Sequence, residues 1–109
     1  MPAPVVIEMR QDGPVARLTL TGELDLAGAS SVTDPVAAYL GTAGINEVIV
    51  DIAPLTFIDS AGVSALVKGK QLSLDVGKTF RIVGSHGRVA VVLDICGLTA
   101  YLTGINSDR

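Results

Sequence analysis

The sequence predicts an α/β fold: a small mixed β-sheet in the order ββαβαβαβ, covered by helices. Three observations predict it. Residues 15–21 alternate with a period of two, placing Val15, Arg17, Thr19 and Thr21 on one face and Ala16, Leu18 and Leu20 on the other. That is the pattern of a half-exposed strand. Residues 48–52 are apolar except at Asp51, as expected of a central strand covered on both faces. Val89, Val92, Leu93 and Cys96 then recur at helical spacing ahead of Gly97.

Taken in order, residues 5–9 (VVIEM) read as a strand, turned at Gln11-Asp12-Gly13-Pro14 and paired with residues 15–21 as a hairpin. Gly22-Glu23-Leu24-Asp25 closes that hairpin. Residues 26–40 are helical in pattern, with Ala29, Val32, Val36 and Leu40 on one face. Pro35 interrupts them, because an interior proline removes a backbone donor and costs about 3 kcal/mol. Asp34 as cap and Pro35 at the first helical position would suit a restart. The expectation is either a kinked helix or a short turn followed by a helix from Pro35, stopped by a left-handed Gly41.

After the central strand a short connection leads to Asp59-Ser60-Ala61-Gly62. The helix that follows turns Val63, Leu66, Val67 and Leu74 inward, and Ser64, Lys68, Gln71 and Asp75 outward, until Gly77. Residues 79–83 form the next strand. Ser85 is placed to cap the last helix, whose apolar face includes Cys96 as a core residue. Residues 101–105 are expected to close the sheet as an edge strand, with residues 106–109 frayed. Strands separated by helices should be parallel with right-handed crossovers. The segment before Ser60 then lies at a strand's carboxyl end, where α/β sheets often meet ligands and partners.

Composition bounds the function. The 109 residues suit one domain, 1–109, and 49% apolar against 17% charged residues describes a folded globule. With few aromatics, the core must be built from Val, Leu, Ile and Ala. The lone cysteine cannot form an internal disulfide, which points to a reducing cytoplasm. There is no run of about 18 apolar residues to span a membrane, and no basic, then apolar, leader. A net charge of -3 without a basic cluster argues against nucleic acid. A protein surface or a small molecule is the expected partner.

Enzymatic motifs are weak. The one histidine, His86, reads as an exposed residue in a helix's first turn, and no metal-ligand cluster is visible. A Ser60–His86–Asp triad can be written, but the G-x-S-x-G elbow is absent, and Gly84-Ser85-His86-Gly87 resembles it only superficially. Gly77-Lys78-Thr79 echoes a phosphate-binding loop, yet Leu72 stands where that loop needs glycine. No catalytic, metal or cofactor residue is therefore expected. Asp59-Ser60-Ala61-Gly62 is a different matter. Either Asp or Ser can cap the helix there, and a hydroxyl at a helix start is well placed for phosphorylation, because the positive dipole end tolerates the added charge. Gly22-Glu23-Leu24-Asp25 is either a charged turn or an acidic rim for a partner's Arg or Lys.

Three stretches together resemble the STAS domain family, specifically bacterial single-domain anti-sigma factor antagonists. Residues 15–25 (VARLTLTGELD) resemble its second strand and G-E-L-D signature. Residues 47–66 resemble its central strand and the F-[IM]-D-S-x-G start of its second helix, and residues 80–98 resemble the later strand and a helix ending in G-L. The resemblance implies a STAS-like fold and a phosphoacceptor at Ser60, modified by a cognate anti-sigma factor with serine kinase activity. It implies that the unphosphorylated form binds that kinase and frees a sigma factor, that phosphorylation breaks the complex, and that a phosphatase resets it. ATP would belong to the kinase, so the chain would be no enzyme and carry no cofactor. The expected partner surface comprises Glu23, Asp25, Asp59, Ser60, Ala61, Gly62 and Ser64.

Three features depart from that family pattern. Ala61 stands where a second hydroxyl is common, Pro35 is unusual in the first helix, and the chain stops about where many relatives add a final helix. The expectation from that last departure is a sheet face either less covered or paired with another molecule. The alternative is a STAS module acting as a scaffold, a transport-complex subunit or a nucleotide-sensing domain. A hydrolase using Ser60 is disfavoured for want of a base and an oxyanion device.

Overall fold

The structure, a computed structural model, describes residues 3–104. Its organising element is β2 (Val15–Leu24), longer than the alternation predicts, because it continues through a bulge between Gly22 and Glu23. Strand β1 (Val6–Asp12) pairs antiparallel along one edge of β2, from Val6 opposite Thr21 to Asp12 opposite Val15. The other edge of β2 is shared. Strand β3 (Glu47–Asp51) lies parallel to residues 15–19, and β4 (Leu55–Ile58) lies parallel to residues 22–24. Outside β3 runs β5 (Thr79–Val83), also parallel, so the sheet order is β1-β2-β3-β5 with β4 on β2.

Strand β4 replaces the plain connection expected before Ser60. Its buried residues, Leu55 and Ile58, are three apart, while Thr56 and Phe57 between them are exposed. It therefore carries no period-two signal, and only its pairing with β2 makes it a strand.

A 3₁₀ turn (Leu26–Gly28) precedes α1 (Ala29–Leu40), and Pro35 lies inside that helix. Of the two alternatives expected, the restart at Pro35 is not found: one helix, begun at Ala29 after an earlier turn, runs through Pro35. Burial of Val32, Val36 and Leu40 on one face offsets the lost donor. Pro35→Ala is accordingly expected to raise stability by about 1–2 kcal/mol, the regained bond being partly cancelled by a freer unfolded chain. Urea denaturation checks this; a loss of stability would mean that Pro35 itself packs usefully. Gly41 ends α1 with φ −87°, not in the left-handed region expected of it; its N–H donates to the Ala37 carbonyl and the Thr42 N–H to that of Tyr39, each at 3.0 Å.

Helix α2 (Ser60–Asp75) packs on α1 and β5, α3 (Gly87–Ile95) on β4, and α4 (Thr99–Thr103) on β5. The core joins Ala16, Leu18 and Leu20 of β2 to Val48 and Val50, Phe80 and Ile82, and the inner faces of the helices. Val48, Ile49 and Val50 are all buried, as expected of a central strand. Across the opposite face, Arg10, Arg17, Ile49 and Arg81 form one row in register. Arg81 Nε bonds Glu47 Oε2 at 3.1 Å.

Four further expectations are corrected. Residues 101–103 belong to α4, not to an edge strand, because Leu98 and Leu102 reach the core at a helical spacing of four. Residues 105–109 lie outside the described residues. Leu74 is 60% exposed, because the last turn of α2 runs past the sheet-facing positions. Cys96 is exposed rather than core, since α3 ends at Ile95 and Gly97 turns the chain away. His86, not Ser85, is the residue before α3, and the Ser85 hydroxyl is buried without a partner.

Candidate functional site

The site is assembled where β2 and β4 end side by side. Leu24 pairs with Ile58, and the Asp59 N–H donates to the Leu24 carbonyl at 3.2 Å. The next residue on each strand extension is Asp25 or, after Asp59, Ser60. Two segments separated by more than thirty residues in sequence thereby present their polar ends together.

Helix α2 begins at once, and the structure decides which residue caps it. Asp59 has extended backbone angles, and its Oδ1 accepts the Gly62 N–H at 2.9 Å. Its carbonyl accepts the Val63 N–H at 2.9 Å. Ser60 is therefore not the cap. It is the first helical residue and is exposed, with its hydroxyl left free of the capping role. Ala61 beside it is half-buried and brings no second hydroxyl, and Ser64 is exposed one turn later.

Gly62 permits this arrangement. A Cβ there would come within 2.5 Å of the Leu24 carbonyl oxygen and 2.7 Å of Ile58 Cγ1, so only glycine lets the helix approach the strand ends this closely. Of the expected site residues, Gly62 thus acts by packing and is buried.

Gly22-Glu23-Leu24 is not a turn after the strand but the strand's own bulged end. Gly22 has φ +98°, and a Cβ there would lie 2.7 Å from the Pro4 carbonyl oxygen. The Glu23 N–H donates to Ala3 O at 2.8 Å on one side, while Phe57 of β4 pairs with Glu23 on the other. Only Asp25 enters the turn, where its Oδ1 accepts the Ala27 N–H at 3.1 Å. Glu23, Asp25 and Asp59 are all half-buried: Asp59 caps α2, Asp25 caps the turn after β2, and Glu23 lies in the bulged end of β2 opposite Phe57.

Sequence reasoning missed Leu26 and the groove beside it. Leu26 is 77% exposed. With Ala29, Ser30 and Thr33 it walls one side of a recess of about 480 Å³, and Ala61, Ser64, Ala65 and Lys68 wall the other. An apolar residue outside the helical repeat, just after Asp25, was the available signal.

His86 stands apart from this cluster: its Nε2 donates to the Ala53 carbonyl at 2.8 Å. Among the described residues there is no group of three or more His, Cys, Asp or Glu fit to hold a metal ion. Nor is any helix among them long and apolar enough to cross a membrane.

Comparison with known proteins agrees with this geometry. The anti-sigma factor antagonist SpoIIAA in its unphosphorylated form superposes with a TM-score of 0.77 at 18% identity, over 88% of this chain and 84% of that one. An anti-sigma factor antagonist from Mycobacterium paratuberculosis gives 0.79 at 17% identity, over 94% and 87%. The murine anion transporter Slc26a9 gives 0.67 at 23% identity, over 82% of this chain but only 15% of the transporter. At such identities the likeness is one of fold. Among curated proteins no sequence matches the chain. The sequence model of the STAS domain matches residues 6–108, nearly the whole length, and the chain belongs to the STAS domain family.

Proposed function

We propose that the chain is an anti-sigma factor antagonist switched by phosphorylation at Ser60. Unphosphorylated, it binds a cognate anti-sigma factor that is also a serine kinase, and the sigma factor is released. Phosphate on Ser60 ends that binding, and a phosphatase restores it. In this reading the chain is a binding module and a kinase's substrate in the bacterial cytoplasm, the ATP being held by the partner.

One observation carries the proposal: the exposed Ser60 hydroxyl stands at the first position of α2 while Asp59 does the capping. Modification therefore need not break the helix cap. The dipole's positive end tolerates phosphate within the domain. Across an interface, the same charge joins Glu23, Asp25 and Asp59 and overloads whatever basic groups the partner aims at them. Asp25, Glu23, Asp59, Ala61 and Ser64 are assigned to that contact, with Gly62 holding its shape.

Incubation with the cognate kinase and ATP is expected to add one phosphate by mass, and Ser60→Ala is expected to abolish it. Phosphate found mainly on Ser64 or Thr56 would sink the assignment. Thr56 is the poorer acceptor, because its Oγ1 already donates to the Gly22 carbonyl at 3.2 Å. The likeness to the Slc26a9 chain supports a second reading, a module of a transport complex. Affinity purification that recovered transport subunits and no kinase would favour it.

A further inference from the structure

The outer edge of β1 carries a pattern complementary to itself. Strand β1 is the last in the sheet order, is paired only with β2, and runs from residue 6 to 12 without proline or bulge. All its residues but Ile7 are exposed. Such an edge is a template for another strand unless something blunts it.

The parity of the hairpin shows which groups that edge offers. Asp12 pairs with Val15 around the loop Gly13-Pro14, and Pro14 has no N–H. The Asp12–Val15 pair must therefore be the type that exchanges both backbone bonds. Stepping back in twos, Arg10, Glu8 and Val6 also turn their backbone groups toward β2. Ile7, Met9 and Gln11 turn theirs outward, and none of these bonds the backbone of another described residue outside the ladder.

We propose that the chain forms a two-fold dimer in which β1 pairs antiparallel with β1 of a second copy, centred on Met9. This register sets Met9 opposite Met9, Ile7 opposite Gln11 and Glu8 opposite Arg10. Every outward N–H and C=O of Ile7, Met9 and Gln11 then falls in an exchanging pair. Glu8 and Arg10 fall in the alternate pairs, where side chains stand closest. Shifting the register by two residues leaves Ile7 or Gln11 without a strand partner and sets Arg10 opposite Arg10 or Glu8 opposite Glu8. The four-residue shift that sets Arg10 opposite Asp12 leaves both Ile7 and Met9 unpaired. Backbone bonds and charges together select this one.

The single chain leaves Arg10 poorly served. Its register partner on β2 is Arg17, a like charge, and its bond to Asp12 at 3.1 Å joins side chains 75% and 65% exposed, which is worth little. Glu8 of a second copy supplies the missing opposite charge. Met9, 55% exposed although it pairs with fully buried Leu18, is covered by the second Met9. A recess of about 360 Å³ lined by Glu8, Met9, Arg10, Arg17 and Thr19 lies at the same edge. Strand β4 and hence Ser60 lie across β2 from β1, so the dimer leaves both hydroxyls accessible.

Sedimentation of the full chain over a wide concentration series is the test. A single strand pair makes a small interface, so a reversible monomer–dimer equilibrium is expected. Glu8→Arg alone and Arg10→Glu alone each place like charges opposite twice, by symmetry, and should weaken the dimer roughly tenfold. The double variant exchanges the charges and should restore wild-type association, with circular dichroism confirming that all three remain folded. A chain that stays monomeric throughout, or a dimer indifferent to the single reversals, or a double variant no better than the singles, overturns the proposal.

Discussion

Gly62→Ala is expected to destabilise the domain by about 3 kcal/mol, the upper end of what overpacking costs. The added methyl group would sit 2.5 Å from the Leu24 carbonyl oxygen, 2.7 Å from Ile58 Cγ1 and 2.9 Å from Leu24 Cγ. The nearest of these is backbone in a strand paired on both sides, by β4 and by the Ala3–Glu23 bond, and it cannot rotate away. The first turn of α2 must therefore lift, stretching the Asp59 N–H bond to Leu24 O that joins the ends of β2 and β4. Equilibrium unfolding in urea measures the loss. A change below about 1 kcal/mol would show that the helix start is not pinned as described.

Ser60→Asp is expected to separate stability from binding. An acidic residue at the first position of a helix gains about 0.3–1 kcal/mol from the dipole, so the isolated domain should be as stable as the parent or slightly more so. On the proposed function, affinity for the serine-kinase partner should fall by about 2–4 kcal/mol, because a fourth carboxylate joins Glu23, Asp25 and Asp59 in the proposed contact. Calorimetric titration of parent and variant against that partner reads the effect directly. Equal affinity, with stability retained, would mean that charge at Ser60 is not the switch.

Much of this arrangement is legible in local pattern. The alternation of residues 15–20 matches the burial of Ala16, Leu18 and Leu20, and the helical repeat of Val32, Val36 and Leu40 matches the inner face of α1. Short-range chemistry sufficed again at the start of α2, where the Asp-Ser pair marked a helix N-terminus. It could not say which of the two residues would cap. Both side chains can accept a backbone N–H, and the choice followed from the register of β4, which holds Asp59 in extended geometry against Leu24.

Repeats also misled where an element stopped sooner than its pattern. Cys96 and Leu74 continue apolar series, yet each lies where its helix ends and the chain leaves the core. In residues 101–103, strand-favouring Tyr and Thr were overruled by the burial of Leu102.

By itself the sequence determined the strands and helices whose side chains alternate or recur, and it located Ser60 at a helix start. Only the tertiary structure decided that β4 is a strand, that Gly22 to Leu24 belong to β2, and that Ser60 is exposed while Asp59 caps the helix. The reason is physical. Periodicity records which face of one element is buried, whereas these features depend on which distant backbone lies alongside, and that contact leaves no period in either segment.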